Sequence, residues 1–383
     1  MSRADGARGR QGRDVSGGGV DLAPGRMRSL KGATPDFAAR VSAWQVDHGR
    51  SNLPWQRTRD PYRVWLSEIM LQQTQVSTVL DFYPRFVDSF PDVHVLAAAS
   101  LDDVLALWSG MGYYSRARNL HRCAVEVVQH HAGRFPSSSQ ALAELPGIGE
   151  STAAAIAAFC FGERAAILDG NVKRVLTRHI GFAGDLSLAA PQRELWRQAR
   201  ERLPHQGIAT YTQGLMDLGA TVCTRRQPAC LTCPVALDCV ARHQGLTSAY
   251  PVKTRRLKRG RRDNVLLWLA HAGGFWLVRR PSPGVWAGLW CLPQFAGPDD
   301  ALLWLRDLPG EAHHLPAIDH ALTHFDWHLR PLRWQLPAKL SAAQRKQLEA
   351  RLPGPARWFS LQQALALGLP APVRRLLEGP QNA

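Results

Sequence analysis

From about residue 36 to residue 222, apolar residues recur every three or four positions between short turns, the spacing of helices that pack one face on a core. Ser100-Leu-Asp-Asp103 reads as a capping-box-like helix start ahead of Val104, Leu105 and Leu107. Pro136 and the serines after it break the pattern before a short helix ending at Leu145. Leu145-Pro146-Gly147-Ile148-Gly149 then leads into an Ala-rich helix from about Ser151 to Phe161. Between Lys253 and Arg262 most residues are Lys or Arg, which makes a poor core and predicts a linker. Beyond it the period changes. Val265–Ala270, Phe275–Val278 and Trp327–Trp334 predict strands, with turns at Gly273-Gly274 and Pro281 to Gly284. From Ser341 onward the spacing is helical again. The pattern predicts a multidomain chain, an all-α domain joined by a basic linker to a smaller α+β domain. Its divisions are a basic tail over 1–33, a helical domain over 34–222, a cysteine loop over 223–240, the linker over 241–262 and the α+β domain over 263–380.

A chain of 383 residues is long enough for two or three domains, each burying its own core. Lys and Arg number 47 against 31 acidic residues, a net charge of +16. That excess points to a polyanionic partner, most commonly nucleic acid, without separating DNA from RNA or an acidic membrane surface. No apolar run approaches the ~20 residues of a membrane span, and the Arg/Gly-rich opening has no apolar core of a secretory signal and reads as disordered. Of seven cysteines, Cys123, Cys160 and Cys291 stand alone and read as core residues. Cys223, Cys230, Cys233 and Cys239 follow a C-x6-C-x2-C-x5-C spacing. Such clustering favours a metal over a disulfide framework, and four thiolates suit either zinc or a [4Fe–4S] cluster.

Three features carry chemistry on their own. Gly147 and Gly149 flank one apolar residue, so the backbone turns tightly and the next helix presents its first amides to a phosphate; an ordinary connector between two helices has the same signature. Glu68 falls in the helical arc of Val64, Trp65, Ile69 and Leu71, where an ionised carboxylate is costly and a raised pKa is expected. A core Glu paired with an Arg is the plainer reading. Asp169, ahead of Gly-Asn171-Val-Lys-Arg174, is a good helix N-cap.

In combination these residues resemble the helix-hairpin-helix, Gly/Pro-Asp superfamily of DNA glycosylases, and within it the adenine glycosylases of the MutY family. The resemblance runs from about Arg50 to Arg375. It rests on Pro54-Trp55, Val64-Trp-Leu-Ser-Glu68-Ile-Met-Leu-Gln-Gln-Thr-Gln-Val76, Gly110-Met-Gly-Tyr-Tyr-Ser-Arg-Ala-Arg-Asn119, the hairpin, Leu168-Asp-Gly-Asn-Val-Lys-Arg-Val-Leu176 and the four cysteines. It implies that Glu68 is the general acid that protonates a flipped adenine at a ring nitrogen, and that Asp169 stabilises an oxocarbenium-like sugar. Water completes the cleavage, with Glu68 then acting as base. Endonuclease III-like relatives carry Lys where this chain has Ser151; that amine forms a Schiff base and leads to strand cleavage, so Ser151 implies a monofunctional enzyme. The resemblance also implies a [4Fe–4S] cluster on Cys223, Cys230, Cys233 and Cys239. It implies DNA contacts at Gln73 and Tyr113, which would enter the duplex beside oxidised guanine, at Asn171, and at Trp55 and Gln213 in the adenine pocket.

The segment Arg280-Pro-Ser-Pro-Gly-Val-Trp-Ala-Gly-Leu-Trp290 resembles the Nudix-like module that reads 8-oxoguanine in this family, and no acidic Nudix helix follows it. Leu322-Thr323-His324 stands where the family shows Phe-Ser-His, so Thr323 keeps the hydroxyl while Leu replaces an aromatic support. The implied partner is double-stranded DNA with A:8-oxoguanine or A:G mispairs, acted on by a monomer in the bacterial cytoplasm. Competing readings are a bifunctional endonuclease III-type enzyme, disfavoured by Ser151, a DNA-binding protein with a dead site, disfavoured by retention of Glu68 and Asp169, and a Nudix nucleotide hydrolase, disfavoured by the missing acidic helix.

Overall fold

The computed structural model describes residues 36–255 and 258–379, so the basic tail over 1–33 lies outside the described residues. From Phe37–His48 to Leu218–Val222 the described elements are all helices or helical turns, as the three-to-four periodicity predicts. Their starts are written in the sequence. Ser100 Oγ accepts from Asp103 N at 3.1 Å ahead of helix Leu101–Leu107, and Asp169 Oδ1 accepts from Val172 N at 2.7 Å ahead of helix Gly170–Ile180. The Ala-rich helix runs over Glu150–Ile156 and widens into a π turn over Ala157–Phe161. No described helix is long and apolar enough to cross a membrane.

The C-terminal part is one mixed sheet of eight strands: β1 (Gly260–His271), β2 (Gly274–Arg279), β3 (Trp290–Cys291), β4 (Gln294–Phe295), β5 (Glu311–His314), β6 (Ile318–Ala321), β7 (Phe325–Gln335) and β8 (Ala356–Ser360). Long strands β1 and β7 run parallel at its centre, in register from Gly260 opposite Phe325 to Ala270 opposite Gln335. Two expectations are corrected here. The chain is extended from Gly260, inside the segment read as linker over 241–262, because a distant strand supplies its partner and the Arg262 guanidinium lies 4.1 Å from the centre of the Phe325 ring. Within the tail read as helical from Ser341, Ala356–Ser360 is a strand, because β2, some eighty residues earlier in the chain, supplies an antiparallel partner that local spacing does not show.

Each part buries apolar clusters of its own, and one further cluster is shared between them. Leu105, Trp108 and Leu120 of the helical part belong to the same buried apolar cluster as Trp290, Leu369 and Val373. Polar contacts bracket this seam: Ser109 Oγ and Tyr114 Oη donate to Leu369 O at 3.0 and 2.8 Å, Arg118 Nη1 donates to Ala287 O at 2.8 Å, and Arg279 pairs with Asp102 at 2.7 Å. A side chain at Gly368 would meet Leu105 Cβ at 2.8 Å, so glycine is what lets the two parts close.

Candidate active site

A wide cleft in the helical part gathers most of the residues singled out from the sequence. Trp55, Glu68, Gln73, Ser151, Asp169 and Gln213 all line it, with Asn171 beside Asp169. Tyr113, Gly147, Gly149, Thr323 and His324 are not among its wall residues.

Glu68 comes from helix Pro61–Leu71, whose other inward residues Val64, Trp65 and Ile69 are buried. The helix is fixed by this apolar face, and the cost of one carboxyl on it is visible in its acidity. Burial pushes the Glu68 pKa up to about 8, and the charge of Asp169 adds to the rise. Asp169 caps its helix, so its position is set by the backbone it bonds. Burial raises its pKa too, but N–H groups of Val172 and Asn171 and the cations Arg174 and Lys173 oppose that rise. The site therefore holds Glu68 as an acid near neutral pH beside Asp169, whose rise is driven by burial and limited by those N–H groups and cations.

Ser151 is held in a structural contact. Its Oγ accepts from Leu168 N at 2.9 Å, tying the helix after the hairpin to the residue before Asp169. Arg174 donates to Asn171 Oδ1 at 2.8 Å and to Cys223 O at 2.7 Å, fastening the start of the Asp169 helix to the chain that follows the helical part. Trp55 is 7% exposed and packs edge-on against Tyr83, so it is core on one side and cleft wall on the other.

The hairpin corrects one detail. Only Gly147 is left-handed, at φ +82°, with Asn119 Cβ 2.7 Å from where its own Cβ would sit. Gly149 is extended at φ −88° and caps helix Glu150–Ile156 with open space around it, so the turn needs glycine once. Thr323 and His324 sit exposed at the tip of the β6–β7 hairpin, closed by Leu322 N donating to Phe325 O at 2.9 Å, while Leu322 packs on the core.

Sequence reasoning missed a polar cluster at the cleft. Asp217 is fully buried and accepts from Arg50 N and Nε, both at 2.8 Å, from Arg50 Nη2 at 2.5 Å and from Gln213 Nε2 at 3.0 Å. The carboxylate only accepts, so it commits the nitrogen end of the Gln213 amide. The available signal was the one charged residue of helix Ile208–Asp217, four positions beyond Gln213; its Arg50 partner lies 167 residues away.

The metal expectation is overturned. Among the described residues no group of three or more His, Cys, Asp or Glu could hold a metal ion, so neither the [4Fe–4S] cluster nor a zinc ion on Cys223, Cys230, Cys233 and Cys239 is supported. The four thiols line the wall of one small cavity, and the protein already uses two of them. Cys223 Sγ accepts from Arg178 Nη1 at 3.4 Å, and Cys239 Sγ donates to Arg178 O at 3.6 Å. Burial raises the pKa of Cys239 and pushes that of Cys233 to about 11.

Residues 66–201 match the HhH-GPD superfamily of base excision DNA repair proteins, and residues 264–379 match the NUDIX domain. An adenine DNA glycosylase of Buchnera aphidicola subsp. Acyrthosiphon pisum is 33% identical over 347 residues, covering 89% of this chain and 97% of that one. The human adenine DNA glycosylase is 40% identical over 217 residues, 54% of this chain and 40% of that protein. A thermostable thymine-DNA glycosylase structure is 28% identical, with a TM-score of 0.50, over 54% of this chain and 95% of that one. The chain belongs to the adenine DNA glycosylase family.

Proposed function

We propose that the protein is a monofunctional DNA glycosylase of base excision repair that hydrolyses the N-glycosidic bond of adenine mispaired with 8-oxoguanine or guanine. The observation that carries the reading is the pairing, in one cleft, of Glu68, its pKa raised to about 8, with the helix-capping carboxyl of Asp169, which Val172 N–H bonds and Arg174 and Lys173 flank.

The adenine leaves the stack to reach this cleft. Glu68 in its acid form gives its proton to a ring nitrogen of the base. The C1′–N9 bond then breaks with its electron pair going to the base, which departs as neutral adenine. The positive charge left on the sugar faces the Asp169 carboxylate. Water adds at C1′, and the Glu68 carboxylate formed in the first step takes up the water's proton, which restores the acid. Ser151 offers no amine to C1′, so the product is an abasic site on an intact strand.

Trp55 and Gln213, both on the cleft wall, would line the base pocket. Gln73 and Tyr113 would enter the duplex beside the oxidised guanine, and the hairpin amides after Gly147 and Gly149, with Asn171, would contact the backbone. Thr323 and His324 belong to the module proposed to read the oxidised base. The excess of positive charge suits the DNA backbone.

The test is one duplex with adenine opposite 8-oxoguanine, with and without alkali after incubation. Adenine release with strand breakage only after alkali is expected. Strand breakage without alkali, or a borohydride-trapped adduct, would point to the bifunctional reading.

A further inference from the structure

Two residues of the cleft and its surroundings have backbones that side chains other than glycine rarely adopt. Gln73, just past the end of the Glu68 helix, has φ +57°, and Tyr113, in the loop before helix Ser115–His130, has φ +50°. Such conformations persist only where the surroundings over-determine them. One side chain reaches both. The buried Arg116 guanidinium donates from Nη1 to the carbonyls of Ile69, Met70 and Gln72 at 3.0, 2.8 and 2.5 Å. From Nη2 it donates to Thr74 Oγ1 at 2.9 Å and Gly112 O at 3.3 Å. It also lies 5.3 Å from the ring centres of both Trp108 and Tyr113.

The positions of these acceptors matter. Ile69, Met70 and Gln72 end the Glu68 helix, where any cation is welcome to the unpaired carbonyls. Gln72 and Thr74 flank Gln73 on either side, and Gly112 directly precedes Tyr113. The two Nη groups of one planar guanidinium reach all of these at once, whereas the compact ammonium of lysine cannot.

We infer that Arg116 is a positioning residue that locks Gln73 and Tyr113 into one fixed arrangement, so that the amide and the ring enter the duplex together as a single reader of the oxidised base. The inference rests on the proposed role of those two residues. Arg116 touches neither the departing adenine nor C1′; it acts through the loops it joins.

The experiment uses the full chain and duplexes carrying 2-aminopurine next to 8-oxoguanine or guanine, opposite a 2′-fluorinated adenosine that resists cleavage. The fluorescence increase on binding reports unstacking beside the lesion, and single-turnover excision on ordinary duplexes gives the preference for 8-oxoguanine over guanine. Gln73→Ala and Tyr113→Ala should each lower both readouts. Arg116→Lys should lower both as well, with the preference falling about tenfold, the scale of one lost hydrogen bond to a charged group. If the alanine variants lower them and Arg116→Lys matches the wild type, the inference is overturned and the role of Gln73 and Tyr113 stands. If the alanine variants change nothing, that role fails and the inference with it. Excision reduced equally on both mispairs, with fluorescence and preference intact, would make Arg116 a cap for the Glu68 helix and overturn the inference. Should Arg116→Lys not fold, Thr74→Val removes one Arg116 contact beside Gln73 and decides: a smaller loss in the same two readouts supports the inference, and no change overturns it.

Discussion

Asp169 raises the proton affinity of Glu68 across the cleft, so the anion that would stabilise the sugar also helps to keep the acid charged with its proton. Burial makes the larger contribution. Excision should accordingly fall as pH rises through about 8, where Glu68 loses the proton it must donate. Glu68→Gln should bind a mispaired duplex and release no adenine at any pH, measured by single-turnover cleavage. The same substitution should stabilise the fold. A carboxyl whose folded pKa lies above its unfolded one holds more protons when folded, so its stabilising proton is fully present below the unfolded pKa and its advantage is lost as pH rises through about 8. Glu68→Gln should therefore melt above the wild type at pH 8, by about 1–3 kcal/mol, with a smaller difference at pH 5. An unchanged or lowered midpoint at pH 8 would contradict the buried-acid account.

Asp217 should be among the costlier side chains to remove. Asp217→Ala strands the Arg50 guanidinium and frees the Gln213 amide, and a loss of about 3 kcal/mol is expected in urea denaturation. Asp217→Asn should be milder in stability yet still slow excision, because an amide partner no longer dictates which end of Gln213 faces away from it. A wild-type excision rate in Asp217→Asn would remove Gln213 from the pocket's recognition of the base.

Ser151 should prove structural. Ser151→Ala leaves Leu168 N–H without its acceptor, a loss of about 1–3 kcal/mol. Excision should slow with it, since Leu168 sets the position of Asp169. Borohydride should trap no adduct with either protein. A trapped adduct in the wild type would assign strand chemistry to an amine elsewhere in the cleft.

Thr323 and His324 lie exposed at a hairpin tip, so the double alanine variant should melt within about 0.5 kcal/mol of the wild type. Its preference for 8-oxoguanine over guanine should drop by about 1–3 kcal/mol if both contact the oxidised base. Binding and single-turnover excision on paired duplexes measure the two effects separately. Unchanged preference would leave lesion reading to Gln73 and Tyr113.

The sequence by itself determined the helical part, because apolar residues three and four apart must share a face, and it marked Glu68 as the carboxyl on such a face and Asp169 as a cap. Local spacing carries that much, since a helix brings together only near neighbours in the chain. Tertiary structure alone decided that Arg50 grips Asp217, that Arg116 spans two loops, and that Gly260 opens a strand whose partner begins at Phe325. It also decided against the metal. The cysteine spacing places four sulfurs in one short loop, but ligation needs them to converge on a point; among the described residues no such group forms, and Arg178 is bonded to two of the four. Convergence of that kind depends on distant backbone and side chains, which no periodicity along the chain encodes.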